Sequence, residues 1–242
     1  MAKVNGLNVR LYVEGYDLSG DANAISAMGY TNELLDVTTL DVSAQKRLVG
    51  IVDSEVTVDA WFDNAASKQH AVWTSNSGKL PTADQDVLIP MGAAVADPCV
   101  GLVAKQGTYT TAKAPGSAIT ATAAYSANGS AVEFGEMMTA HDDTHASAGS
   151  GTVVDSGAAS TNGGAGYLQV LSVASGSVTV NLQESTSSGG SYSNFMTFST
   201  VAAAAAPTSE RVTMSGNVAR YLKVTTTGTF SNAVIAVGFA RL

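Results

Sequence analysis

The chain has 242 residues, of which 13% are charged and 45% apolar, with 24 glycines against 5 prolines and a formal net charge of −8. A chain of this length buries a real core without covalent staples, and its acidic balance excludes binding to nucleic acid or anionic membranes through charge alone. The single cysteine, Cys99, excludes an intramolecular disulfide framework and a thiolate zinc site.

No apolar run approaches the ~20 residues of a membrane span. The opening MAKVNGLNVRLYVEG lacks an apolar core followed by a cleavage site. The expectation is a soluble protein made in the cytoplasm, with no membrane binding by the chain itself. Charge is divided unevenly: residues 1–147 hold 8 Lys/Arg and 17 Asp/Glu, whereas 148–242 hold 4 and 3. The small-residue stretch Thr144–Gly151 coincides with that shift and has the composition of a linker. Two domains are therefore expected, 1–147 and 148–242.

In chain order, Asn8–Glu14 alternates Val9, Leu11 and Val13 against Arg10, Tyr12 and Glu14, the pattern of a strand. Ala22–Tyr30 is weakly patterned. Glu33–Leu40 reads as a Thr- and Val-rich strand. The clearest element follows: Val56, Val58, Ala60 and Phe62 fall on one face, Glu55, Thr57, Asp59 and Trp61 on the other. Between these strands runs a long polar connection carrying Asp41, Gln45, Lys46 and Arg47, longer than a hairpin needs. Asp63 is a plausible cap for one helix over Asn64–Thr74, ended by Gly78. Val87–Pro90, Cys99–Gln106, Ile119–Tyr125 and Ala131–Met138 read as further strands, punctuated by prolines and by Asn128-Gly129. The second half offers Ala165–Ala174, Ser177–Glu184, Asn194–Thr200, Glu210–Met214, Tyr221–Thr227 and Ala233–Arg241, spaced by turn residues as in a β-sandwich. The fold class is all-β with one short helix.

The chain carries no P-loop, no dinucleotide-binding glycine motif and no nucleophile elbow. His141-Asp142-Asp143-Thr144-His145 could ligate a metal on a helix, but its Ala, Ser and Gly flanks argue for a loop. The pairs Asp84/Asp86 and Asp53/Glu55 lack a nearby base or nucleophile and read as solvated faces. Trp61, Trp73 and the tyrosines read as core or interface anchors. Lys46 with Arg47 is too small a basic patch for DNA and suits a rim contact to a carboxylate on a neighbour. No cofactor, metal site or enzymatic activity is expected.

Val9–Val13 with Gly15-x-Asp17-Leu18-Ser19, then Asp36-x-Thr38-Thr39, then Gly50-x-x-Asp53 leading into Val56–Asp63, resembles the major tail tube proteins of long-tailed (siphovirus) bacteriophages over the first ~145 residues. Arg220–Val224 and Val237–Leu242 are similar to the tail of some actinophage-type tube proteins. The resemblance implies hexameric rings stacked into a tube, each subunit's sheet closing with its neighbours' into one barrel. The tape-measure protein and then DNA would occupy the lumen, and tail terminator and tail-tip proteins would meet the ends. It further implies a virion location, with Glu55, Thr57 and Asp59 facing the lumen. Asp41, Gln45, Lys46 and Arg47 would contact the adjacent ring, and the second, near-neutral sandwich would sit outside. Two rival readings are a capsid-decoration or carbohydrate-binding β-sandwich module, and a metal-dependent hydrolase built on His141 and His145.

Overall fold

The computed structural model describes residues 8–75 and 77–242. It opens on two short strands, β1 (Tyr12–Val13) and β2 (Tyr16–Asp17). Glu14 and Gly15 turn the corner with φ of 53° and 79°. A left-handed pair cannot continue a strand, so the one expected over Asn8–Glu14 stops at Val13.

β3 (Ala22–Asp36) and β4 (Arg47–Trp61) form a hairpin of two 15-residue strands. The weakly patterned Ala22–Tyr30 thus belongs to a strand, while Val37–Leu40 lies in the connection. Register shifts at Ala22/Ala24, Ile25/Ala27 and Asn32/Leu34 explain why. Each irregularity resets the inward–outward alternation, so no run of period two survives in the sequence. The expected helix shrinks to α1 (Gln69–Trp73). Asp63 does not cap it; its carboxylate accepts from the backbone N–H of Ala65 at 2.8 Å, a local turn that competes with helix, and Ser67 takes a φ of 62°.

The first half continues with β5 (Gln85–Pro90), β6 (Pro98–Ala112), β7 (Thr120–Ala127) and β8 (Glu133–Met137). β9 (Asp143–His145), β10 (Gly149–Ser150) and β11 (Val154–Asp155) are short. Then come β12 (Gly164–Ser185), β13 (Ser193–Thr197), β14 (Val201–Ala202), β15 (Thr208–Met214), β16 (Tyr221–Thr227) and β17 (Phe230–Arg241). The two strands expected on either side of Gly176 are one. Gly176 sits within β12 at φ 77°, and a Cβ there would lie 2.0 Å from the Thr229 carbonyl oxygen, so glycine lets the strand bend instead of breaking it.

β12 serves both sheets of the C-terminal sandwich. Gly164–Val170 pairs with β15 on one side and β17 on the other, and Thr179–Ser185 pairs with β16, with β13 along its opposite edge. One core lies between these sheets, with Leu168, Val180, Leu182, Phe198, Leu222, Val224 and Ile235 at its centre. A second core fills the first half around Trp73, Val56, Val58, Leu102, Ala123 and Tyr125. A third cluster, Tyr12, Leu88, Cys99, Met137, Ala165, Tyr167 and Ala236, joins residues from both halves. β8 runs through this seam, bonded to β6 on one edge and β17 on the other. The small-residue stretch near Thr144–Gly151 is itself paired, β9 with β17 and β10 with β16.

Candidate assembly surface

Four strands, in the order β3–β4–β7–β6, form a strictly antiparallel sheet. Its lateral rows are continuous. On the core side Met28, Val56, Tyr125 and Gln106 stand in one row, Ile25, Val58, Ala123 and Tyr109 in the next, and Ala22, Ala60, Ala121 and Thr111 in a third. Val56, Val58 and Ala60 are buried, as their alternation predicts. The opposite face carries Gly29, Glu55, Ser126 and Lys105; Ala27, Thr57, Ala124 and Thr108; and Ala24, Asp59, Thr122 and Thr110. Every side chain in these outer rows except Glu55, Asp59 and Lys105 is small, and four bear hydroxyls in the two lower rows. Asp59 accepts from the Thr122 hydroxyl at 2.7 Å, and Glu55 from Thr57 at 2.9 Å. Lys105 is paired with Asp84 at 2.9 Å. This leaves a smooth, hydroxyl-rich face of negative balance, the chemistry least able to hold a phosphate backbone.

Both edges of this sheet are open. Among the described residues, β3 pairs as a strand only with β4, and the outer half of β6, Lys105–Ala112, only with β7. Free edges are templates for further pairing unless something covers them.

Beyond residue 30 the β3–β4 hairpin leaves the body, and nearly all its side chains are exposed. Leu34, Leu35, Leu48, Val49, Ile51 and Val52 are among them. Paired Leu34↔Val49 and Leu35↔Leu48 occupy alternate positions, so both faces of the ribbon are apolar. An exposed apolar patch of this kind on a single chain marks an interaction surface. At the tip, Asp36 organises the turn by accepting from the Thr38 backbone N–H (2.9 Å) and hydroxyl (2.5 Å), which hold its carboxyl below the usual range. The Lys46 N–H returns to the Thr38 hydroxyl at 2.9 Å. Asp41 accepts from the Thr39 hydroxyl, and Arg47 donates to the Gln45 side chain at 2.5 Å. Asp41, Gln45 and Lys46 lie on the exposed loop, as expected. Arg47 is instead the first residue of β4, paired with Asp36.

The remaining candidates separate. Asp86 is not on a solvated face: it lies in the seam, where burial and then the Glu14 charge push its pKa up to about 6. Glu14 is raised as well, mainly by burial. Glu14 accepts from the Asp86 N–H at 2.6 Å, and the Ser209 hydroxyl on β15 reaches Glu14 at 3.2 Å and Asp86 at 3.3 Å. Two residues along, Arg211 pairs with Glu133, and Tyr167 donates to Glu133 at 2.5 Å. His141 lies 3.4 Å from Asp142, and His145 on β9 lies 3.3 Å from Asp143. Among the described residues no group of three His, Cys, Asp or Glu could hold a metal ion. Burial pushes the Cys99 thiol up to about 12, which leaves it an inert core group. Trp73 is wholly buried, while Trp61 is half exposed at the end of the outer face.

No family model and no curated protein matches the sequence. Among the solved structures that match are chains of tail, tube and adsorption-apparatus assemblies. A chain from the tail of an empty gene transfer agent particle, refined with six-fold symmetry, overlaps 55% of this chain and 98% of its own at 15% identity and a TM-score of 0.40. A chain of an extracellular contractile injection system sheath–tube complex overlaps 55% and 92%, with 12% identity and a TM-score of 0.43. The SPP1 Dit protein, described as a hub of the adsorption apparatus of phages infecting Gram-positive bacteria, overlaps 96% and 99%, with 11% identity and a TM-score of 0.36.

Proposed function

We propose that the chain is a structural subunit of a long-tailed phage tail tube, with residues 1–147 lining the lumen and 148–242 outside. The observation that carries this reading is the four-stranded antiparallel sheet open at both edges. Its strands alternate in direction, so β3 and β6 run oppositely. Repeating the unit by rotation therefore sets β3 of one copy antiparallel to β6 of the next. An even strand number makes every junction a regular antiparallel ladder and leaves no free edge once the ring closes. The sequence resemblance sets the ring at six copies.

In that ring Glu55, Thr57 and Asp59 face inward, lining a duct from which phosphates are repelled and through which the tape-measure protein and later DNA pass. The hairpins, apolar on both faces, are covered by neighbouring subunits, and Asp41, Gln45, Lys46 and Arg47 at the tip touch the adjacent ring. Tail terminator and tip proteins meet the ends of the stack. The subunit is made in the bacterial cytoplasm, has no enzymatic role and ends in the virion. Negative-stain electron microscopy of the purified chain across a concentration series tests this. Rings or hollow stacks are expected. Discrete single particles at every concentration, including with a tail-tip complex supplied as initiator, would overturn it.

A further inference from the structure

Behind the free edge of β3, on the core side of the sheet, lies a groove of about 450 Å³ whose walls include Val9, Leu11, Ile25, Met28, Ile89 and Met91. Arg10, the one charged side chain lining it, is turned to Asp17 (3.2 Å) and Asp142 (3.4 Å). What the groove offers an occupant is therefore mainly apolar surface, with Ser19 and Asn23 as neutral polar groups in its wall. At the opposite edge of the same sheet, also on the core side, Phe62, His70 and Tyr109 form an aromatic cluster. Ring centroids are 4.9 Å apart for Phe62–His70 and 5.6 Å for His70–Tyr109, and His70 Nδ1 lies 2.7 Å from the Tyr109 hydroxyl. All three are only partly buried, though Trp73 beside them is fully enclosed.

Groove and cluster lie at the same level of the sheet. Ile25, Val58, Ala123 and Tyr109 form one lateral row, with Ile25 at the β3 edge and Tyr109 at the β6 edge. Joining β3 to a neighbour's β6 at the ~4.8 Å spacing of paired strands brings these row ends together on the same face. Barrel closure staggers strands. A stagger of one row sets Tyr109 against Ala22 or Met28, both of which also line the groove. We propose that Tyr109, buttressed by His70 and Phe62, is a knob that fills the groove behind β3 of the adjacent copy, so that the two patches form one contact within the ring. The inference rests on the ring reading above and adds to it a core-side lock that backbone pairing alone does not require.

The test is cysteine cross-linking in the full chain, where native Cys99 is buried. The pairs Ile25→Cys with Tyr109→Cys and Ala22→Cys with Tyr109→Cys, and a third pair that retains the knob, Ile25→Cys with Thr111→Cys, together cover the three registers; they are oxidised mildly and run on a non-reducing gel beside micrographs of the same samples. The expected result is a ladder of covalent oligomers ending at the ring number, absent from each single-cysteine variant. Rings in the micrographs without a ladder from any of the three pairs would overturn the knob-and-groove contact and leave the ring reading standing. Neither ladder nor rings would overturn both. As an independent readout, Ile25→Arg should abolish rings with less than a few degrees' change in monomer melting, whereas Thr57→Arg on the outer face should leave rings intact. Rings from Ile25→Arg would also overturn the contact.

Discussion

Glu14 and Asp86 share the hydroxyl of Ser209, which can donate to only one of them at a time. Arg211 and Glu210 also act on Asp86, the first lowering and the second raising its pKa, but burial dominates and the result is about 6. Between pH ~4 and ~6 the native state holds more protons than the unfolded chain, so this group makes stability fall as pH rises through that window. A two-unit shift corresponds to about 3 kcal/mol, fully expressed above pH ~6. Asp86→Asn removes the charge and should be more stable than the parent at pH 7.5, with the gap closing near pH 4 in urea unfolding curves. A gap independent of pH would show that the carboxylate's ionisation is not its source. Neighbouring Gly101 makes the same point about the seam sterically: a Cβ there would meet the Tyr167 ring at 2.4 Å, so this strand approaches β12 only as glycine.

At the scale of the element, the β3–β4 hairpin is the feature that single-chain folding does not explain. In its distal half Leu34, Leu35, Leu48, Val49, Ile51 and Val52 stay exposed within one copy, whereas Val56, Val58 and Ala60 nearer the body are buried. Replacing Leu34 and Ile51 by Glu should therefore leave monomer stability within about 0.5 kcal/mol, as for other surface changes, while eliminating assembly in micrographs. A large loss of monomer stability would mean that the hairpin packs on its own body. Reversing Lys46 and Arg47 to Glu should leave rings but hinder their stacking. Normal tubes from that variant would remove the tip from the inter-ring contact. The hairpin's body half was readable in part: β4 from Glu55 onward alternates cleanly. The irregular pairings of β3 hid its first half, because a strand with three register shifts has no fixed period to read.

For the whole molecule, the outer face of the four-stranded sheet sets what an assembled duct would tolerate. Glu55→Lys with Asp59→Lys converts the two carboxylates of this face to cations. Parental tubes should show no retention of duplex DNA at about 50 mM salt, and the variant should retain it with a dependence that collapses as salt rises, as counterion release demands. Equal, negligible retention by both would mean that this face does not line the passage. The C-terminal sandwich would be unaffected, since its own core lies away from this sheet.

The sequence alone determined the class of the protein. Alternation in β4, turn residues at even spacing, low charge and one cysteine are local or compositional signals, and they specify an all-β chain with no catalytic motif. It also determined the two faces of Glu55–Trp61, because a period of two is a property of the strand itself. Tertiary structure decided the rest. Which strands become neighbours depends on partners tens of residues away, so the four-strand sheet, its two open edges and the level placement of Ile25 and Tyr109 are invisible along the chain. Asp86 became a seam carboxylate with a raised pKa because packing buries it and sets it beside Glu14, 72 residues away, while Ser209 on β15 partly offsets the rise. Burial is likewise a property of packing: Gly176 bends β12 instead of ending it because Thr229 lies against its Cα, a contact that no local pattern encodes.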